Sequence, residues 1–183
     1  MSDLEQIRAD LRASMNGVAA KSIRESGMGY RLVYGVELPR LREIAAAYTP
    51  DRRLAQTLWN EDIRESKILA ILLFPVEEFD RDMANLWVES LHREQAELAG
   101  LLVMDLLAHE PYAAEQAFLW MADDRQMHQL CGFLLVTRLM MQGAVLSPDA
   151  AAEFQDQAEA TLGTDFLPLR KAVQNALLRF QNF

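Results

Sequence analysis

The chain has 183 residues, of which 51% are hydrophobic and 25% are charged, a composition typical of one globular domain. Its longest apolar runs, at 68–74 and 98–104, fall far short of the roughly 18 residues that a membrane span needs, so we expect no membrane contact. The formal net charge of −9 argues against an overall basic surface of the kind that binds nucleic acid.

The cysteine and histidine content and the first residues of the chain indicate the cellular compartment and the capacity for metal binding. Cys131 is the single cysteine, which excludes an internal disulfide and is typical of a reducing compartment. The chain begins with Met-Ser-Asp-Leu-Glu, which lacks the basic and apolar parts of a secretory signal, so we expect a cytoplasmic protein. His92, His109 and His128 do not combine with Cys131 into a zinc-ligand set, and we predict no metal and no cofactor.

Residues 1–48 are predicted to hold short helices and a glycine-rich loop. Apolar periodicity and turn residues predict three helices, at about 3–15, 18–26 and 37–48. The loop, residues 27–35, contains three glycines, which favour irregular backbone and close approach of a ligand. Tyr30 and Arg31 lie in this loop and are candidate nucleic-acid contacts, because a tyrosine ring can stack on a base. The alternative is a connector that clamps the amino-terminal helices onto the rest of the chain.

Three Leu-Trp pairs mark the remainder of the chain. They are Leu58-Trp59, Leu86-Trp87 and Leu119-Trp120, spaced 28 and then 33 residues apart, and a further step of similar size reaches Phe154. A helix-length apolar segment follows each tryptophan. Self-similarity at this period is typical of helical-repeat proteins, in which each repeat is a pair of helices.

Residues 49–183 are therefore predicted to form about four helix pairs. Cap-then-proline steps at Thr49-Pro50 and Ser147-Pro148 are typical helix starts. First helices are predicted at 50–60, 77–90, 112–124 and 148–161. Second helices are predicted at 62–74, 93–109, 125–142 and 165–181. The predicted fold is all-α, a HEAT-like helical-repeat solenoid of stacked antiparallel helix pairs, with residues 1–183 as a single domain.

The second helices share an apolar five-residue unit with a small residue at its centre. That residue is Ala70, Gly100 or Gly132 in successive repeats. Because glycine within a helix costs about 1 kcal/mol relative to alanine, its presence predicts close approach of a neighbouring helix.

Acidic residues are concentrated in the first helices. The segments 77–90, 112–124 and 148–161 contain twelve acids and one base, Arg81, whereas the four second helices contain eight bases and six acids. In a stack of helix pairs the two classes line opposite surfaces. The pattern predicts one strongly acidic surface, and a second, nearly neutral surface with local arginines that can attract an anionic partner.

From about Gly35 onward the chain resembles the DNA alkylation repair family, the HEAT-like-repeat alkylpurine DNA glycosylases. The matching residues are Gly35-Val36, Pro39-Arg40, Leu58-Trp59, Arg64-Glu65, Ala70, Trp120 with Ala122 and Asp124, and Arg170-Lys171-Ala172-Val173 with Leu177. The resemblance implies an all-α fold whose second helices face DNA. It also implies an activity on positively charged alkylated purines.

The resemblance further implies a set of functional side chains in that family: a tryptophan, an aspartate four residues later, an arginine and a second tryptophan. Aromatic faces attract the cationic base, the aspartate stabilises the developing sugar cation, and the arginine holds phosphate. Transferred to this chain, the four positions fall on His92, Ala96, Leu130 and Asn175. No catalytic residue is therefore assigned, and enzyme activity is left open.

Three functional hypotheses follow. The first is a divergent, non-catalytic binder of DNA or another polyanion, which uses basic residues of the second helices: Arg64, Lys67, Arg93 and Arg138. The second is a protein-interaction scaffold whose acidic first-helix face binds a partner protein. The third is an alkylpurine DNA glycosylase with a different active site, drawn from Trp87, His92 or Asp105. Glu65, next to Arg64, is expected to pair with a residue three or four positions away.

Overall fold

Short polar side chains cap the amino-terminal ends of many of the helices, where each accepts a hydrogen bond from a free backbone N–H of the first turn. Asp51 accepts from Leu54 N at 2.7 Å, and Asp80 accepts from Met83 N at 2.8 Å. Ser147 caps a helix whose first residue is Pro148, as its sequence predicts. The predicted start at Thr49-Pro50 is wrong by two residues, because Asp51 is the residue that caps this helix.

The computed structural model describes residues 1–182, and this part of the chain is all-α, as predicted. Its eleven helices are α1 (Asp3–Ala13), α2 (Gly17–Glu25), α3 (Leu38–Ala46), α4 (Arg52–Trp59), α5 (Arg64–Leu73), α6 (Arg81–Glu89), α7 (Ala96–Asp105), α8 (Ala113–Met121), α9 (Gln126–Met141), α10 (Pro148–Thr161) and α11 (Leu167–Gln181). Short 3-10 turns lie at Val76–Glu78, Arg93–Gln95 and Leu107–His109. Among these described residues, the β-type pairing is limited to one isolated bridge, between Leu32 and Ile63.

Backbone contacts divide the chain into two compact units, residues 1–79 and 80–183. The first unit contains α1 to α5, with α5 packed on both α3 and α4. The second unit contains α6 to α11, which form the last three helix pairs. The assignment of residues 1–183 to a single domain stays a prediction.

The tryptophans of the repeat pattern are core residues of their units. Trp59 lies in the core of the first unit, and Trp87 and Trp120 lie in the core of the second, each at most 3% exposed. Phe154, at the next repeat step, is fully buried. The indole N–H of Trp120 donates to Asn85 Oδ1 at 2.9 Å, which gives this buried polar group a partner. The repeat signal in the sequence is therefore a packing signal.

The second helices α7, α9 and α11 lie side by side in the second unit, since α9 packs on both of the others. The predicted helix 93–109 is interrupted: α7 spans Ala96–Asp105 between two 3-10 turns. The first interruption is stabilised by Gln95, whose Oε1 accepts from His92 N at 3.3 Å. This short cap bends the entry to α7 instead of continuing a regular helix.

The two glycines of the shared apolar unit have different surroundings. A Cβ placed on Gly132 in α9 would lie 2.6 Å from Met121 N and 2.8 Å from Ala117 O, both backbone atoms of α8. Close helix approach, predicted from the sequence, is thus what Gly132 permits. A Cβ on Gly100 in α7 would have no non-neighbouring heavy atom of the described chain within 4 Å. The prediction therefore does not hold for Gly100, which faces open space.

Candidate nucleic-acid interface

The glycine-rich loop is held in the first unit by one buried carboxylate. Glu65, the second residue of α5, has no exposed surface. Its Oε1 accepts from the backbone N–H groups of Gly35 at 2.9 Å and Val36 at 3.2 Å, and its Oε2 accepts from Tyr34 N at 3.0 Å. The predicted pairing of Glu65 with a residue three or four positions away is therefore wrong: its partners are the adjacent Arg64 and three backbone N–H groups about thirty residues earlier.

Gly35 is required where the loop passes α2. Its φ is +77°, in the left-handed region, and an added Cβ would lie 2.3 Å from Asn16 O and 2.5 Å from Ala20 N. No L-amino acid with a side chain fits there without moving backbone. These contacts give the loop a clamping role between α2 and α5.

The two loop candidates have different exposure. Tyr30 is only 9% exposed, so its ring packs within the first unit and is not available to stack on a base. Tyr30 is therefore no longer a candidate for contact with nucleic acid. Arg31, the next residue, is exposed and stays a candidate.

The candidates on α5 are engaged within the first unit. Arg64 Nη1 contacts Glu65 Oε1 at 3.1 Å and donates to Val36 O at 3.2 Å, and its side chain is 12% exposed. Lys67 Nζ donates to Trp59 O at 2.7 Å and lies 4.8 Å from the centre of the Trp59 ring. Burial lowers the pKa of Lys67, against a smaller opposing effect of Asp62. Both bases therefore have internal partners that a phosphate would have to displace.

A first cavity of the second unit lies between the end of α6, the residues that precede α7 and the start of α9. It has a volume of about 350 Å³, and its lining includes His92, Arg93, Arg125 and His128. Arg93 is half exposed; its guanidinium lies 3.5 Å from Asp165 and stacks 4.7 Å from the Phe166 ring centre. Arg125 Nε and Nη2 donate to the two oxygens of Asp123 at 2.9 and 2.7 Å. The side-chain bonds from Arg125 hold the pKa of Asp123 well below its usual range.

His128 adds an unsatisfied polar atom to the wall of this cavity. The residue is buried, and within the described chain its Nδ1 has no hydrogen-bond partner. Burial, and then the charge of Arg125, lower its pKa, so the neutral ring is favoured. Arg125 and His128 were not among the sequence candidates. The adjacent Asp123-Asp124-Arg125 run was the signal that could have drawn attention to Arg125.

A second cavity opens between the second helices α7, α9 and α11. Its volume is about 250 Å³, and its lining includes Gly100, Met104, Leu134, Arg138 and Asn175. Arg138 is the one charged side chain of this lining. Its Nε is buried without a hydrogen-bond partner in the described part of the chain.

The four positions transferred from the resembled family have different surroundings. His92 is exposed, and Ala96 starts α7. Leu130 is only 2% exposed and belongs to the core of the second unit. Neither Leu130 nor Ala96 has an ionisable side chain. Asn175 is exposed and lines the cavity that contains Arg138. The structure thus brings Arg138 and Asn175 together, and Arg93 lies beside His92.

Other candidates for chemistry are buried or unsupported by geometry. Trp87 is 2% exposed, and Asp105, half-buried at the end of α7, has interactions of its own. Within residues 1–182, no three His, Cys, Asp or Glu side chains are arranged to hold a metal ion. Cys131 is fully buried in α9, and burial raises the pKa of its thiol to about 12. Over the same residues, no helix has the length and apolarity that membrane crossing requires.

The acidic residues of the first helices are exposed almost without exception. In the second unit Asp123 is half-buried, and the others, from Asp80 to Glu159, face solvent. An apolar groove of about 470 Å³ runs between α8 and the start of α10. It is lined by Phe118, Leu119, Val145 and Leu146, with Glu115 and Glu153 at its edges.

Helix pairs with buried aromatic residues, and two small cavities that contain arginines, define a helical-repeat protein. A family model described as DNA alkylation repair enzyme matches residues 7–179, and the chain belongs to that family. The resemblance inferred from the sequence is thereby confirmed.

One solved structure has a closely similar fold, with a TM-score of 0.81 over 97% of this chain and 75% of the other. It is described as a new family of proteins related to the HEAT-like repeat DNA glycosylases, with affinity for branched DNA structures, and is 15% identical in sequence. This similarity confirms the predicted HEAT-like helical-repeat fold. Among the curated proteins, no significant sequence match exists.

Proposed function

We propose that the protein binds DNA through the second helices of residues 80–183 without excising a base by the family's known route. The observation that carries this proposal is the side-chain set of that surface. The surface has Arg93, Arg125 and Arg138, whereas the transfer from the resembled family puts its aspartate and its arginine at Ala96 and Leu130. Attraction for phosphate is kept, and the group that stabilises a developing sugar cation is missing.

The family match and the fold neighbour support the DNA part of the proposal. The chain belongs to a family named for DNA alkylation repair, and the neighbour of the same fold is described as having affinity for branched DNA. The net charge of −9 does not oppose it, because local potential steers a charged partner. Arg93 and Arg138 are the principal contacts; Arg31, Arg64 and Lys67 of the first unit are secondary ones, and of these only Arg31 is free at the surface.

Neutralising Arg93 and Arg138 together is expected to raise the Kd for a short DNA duplex by about tenfold or more at low salt. The slope of log Kd against log salt concentration should fall by about two, since each phosphate contact contributes about 0.9. The measurement is fluorescence anisotropy with labelled DNA, on the double variant Arg93→Gln/Arg138→Gln.

The control is Arg12→Gln, which removes the same kind of charge from the exposed end of α1. It should bind like the wild type. Equal affinity for all of these proteins, or no measurable binding by the wild type, would contradict the proposal.

The same preparations test the absence of excision. DNA that contains N7- or N3-methylpurines should lose no base above its spontaneous rate when the protein is added. Base release that is abolished by His92→Ala or Asp105→Asn would instead establish a glycosylase with a different active site.

The apolar groove between α8 and α10 favours a second candidate function, that of a protein-interaction surface. Leu119 is 54% exposed and Val145 is 82% exposed, and the charged residues of the groove lining are Glu115, which pairs with Arg81 at 2.6 Å, and Glu153. Exposed apolar surface with acidic residues at its edge is typical of a site for an amphipathic segment of a partner. Because the acidic residues at the groove would attract a basic segment, we propose a basic amphipathic helix as the partner.

A basic amphipathic model helix is expected to bind the wild type, and Leu119→Glu should weaken this binding by about tenfold, since it removes a central apolar contact. Glu153→Gln should weaken it less and reduce its salt dependence. Calorimetric titration gives both quantities. Leu178→Glu is the matched control, because Leu178 is equally exposed on α11 but does not line the groove. Equal losses in Leu119→Glu and Leu178→Glu would reject the groove.

A further inference from the structure

The cavity between α7, α9 and α11 contains a glycine that internal packing does not explain. Gly100 stands in the middle of α7, where glycine lowers helix stability by about 1 kcal/mol relative to alanine. Its counterpart Gly132 is needed because backbone of α8 lies within 3 Å of its missing Cβ, but the same position at Gly100 is open. The absent side chain leaves room for a group that is not part of the described fold.

The cavity also contains an arginine with an unsatisfied buried donor. The Nε of Arg138 is buried and has no hydrogen-bond partner within residues 1–182. A buried donor in this state is unfavourable, and an anionic or acceptor group in the cavity would offset its cost. Asn175, exposed at the same lining, supplies a second polar group with both donors and an acceptor.

The remaining lining suits a flat aromatic group. Met104 is 47% exposed and Met141 is 56% exposed, and both line the cavity together with Leu134. Methionine side chains adapt their shape and make favourable sulfur contacts with aromatic rings. The volume of about 250 Å³ lies just below the range of about 300–1,000 Å³ that holds drug-sized ligands and is sufficient for one heterocycle.

One nucleotide presents both an aromatic ring and an anion. We propose that this cavity receives a single unpaired base of DNA, with Arg138 on the adjoining phosphate. The inference rests on the proposed function and specifies its ligand. A base in a regular duplex is stacked and paired, whereas a bulged or flap base can enter at little cost. The protein would therefore select DNA that carries an unpaired nucleotide over the same duplex without one.

The test uses two DNA duplexes of the same sequence, one fully paired and one with a single bulged 2-aminopurine nucleotide. The wild type is expected to bind the bulged duplex about tenfold more tightly, because base contacts of this kind contribute about 1–3 kcal/mol each. The 2-aminopurine fluorescence should change on binding, since the probe leaves one environment for another.

Two variants assign the effect to the cavity. Gly100→Phe fills the open space and should abolish both the preference and the fluorescence change. Arg138→Gln should reduce the preference and also weaken binding of the paired duplex. The control is Gly163→Phe, which adds the same ring at an exposed glycine that has no neighbour within 4 Å and lies outside the cavity. Circular dichroism and thermal melting confirm that each variant is folded.

The failures of the two proposals are distinguishable. Equal affinity for both duplexes, or a preference that Gly100→Phe leaves intact, overturns the base-binding cavity and leaves DNA binding in place. Absence of binding to either duplex overturns both. Binding of free 2-aminopurine nucleoside monophosphate at the cavity, without a preference for bulged DNA, assigns the cavity to free nucleotides and overturns the DNA assignment.

Discussion

Glu65→Gln is expected to lower the free energy of unfolding by about 3 kcal/mol. The carboxylate is fully buried and accepts from Tyr34, Gly35 and Val36 backbone N–H groups. Glutamine keeps the shape but replaces one acceptor oxygen by an amide that donates. That amide would face a backbone N–H, and two donors in contact leave both unsatisfied. The guanidinium of Arg64 would lose its anionic partner in the same step.

Urea unfolding followed by circular dichroism measures this effect as a lower midpoint of the transition. Glu78→Gln is the matched control, since Glu78 is exposed at the end of a 3-10 turn in the same unit. It should change stability by no more than about 0.5 kcal/mol. A Glu65→Gln protein as stable as Glu78→Gln would show that the loop is not held by this carboxylate.

Gly132→Ala and Gly100→Ala are expected to change stability in opposite directions although they occupy the same place in successive repeats. At Gly132 the added Cβ meets Met121 N and Ala117 O below 3 Å, so α8 and α9 must separate. Overpacking of this kind costs about 1–3 kcal/mol, and after the gain in helix propensity a net loss of about 2 kcal/mol is expected. At Gly100 only the propensity gain remains, so stability should rise by about 1 kcal/mol.

Thermal and urea unfolding of the two single variants give this comparison directly. The pair serves as its own control, because the residue change and helix type are the same. Destabilisation by Gly100→Ala would mean that α7 meets a neighbour there. A neutral Gly132→Ala would mean that the α8–α9 contact relaxes without loss.

The helix pairs could be predicted because their signals are local or periodic. Trp87 and Trp120 mark successive repeats, and cap residues such as Ser147 stand next to the helices they begin. The interruption around α7 could not be predicted, since Gln95 belongs to an apolar-periodic stretch and its capping role depends on the bend at His92. Local sequence signals thus predict whether a segment is helical better than they predict where a helix is interrupted.

The candidate site was predicted less completely, because its properties depend on distant residues. Arg64 and Lys67 read as surface bases in the sequence, but their partners Val36 and Trp59 can be recognised only in the folded unit. Tyr30 reads as a loop residue and is buried. Arg138 was singled out for its charge alone. That its Nε has no hydrogen-bond partner can be recognised only in the folded unit.

Because Cys131 is buried and is the sole thiol, its labelling rate reports how fast the second unit opens. A maleimide or another thiol-directed reagent attacks the thiolate, which is scarce at neutral pH when the pKa is about 12. Reagent also cannot reach the sulfur while α9 stays packed. Labelling should therefore proceed at the rate at which the helices around it part. No mutation is needed to introduce the probe, and the labelled fraction can be counted by mass.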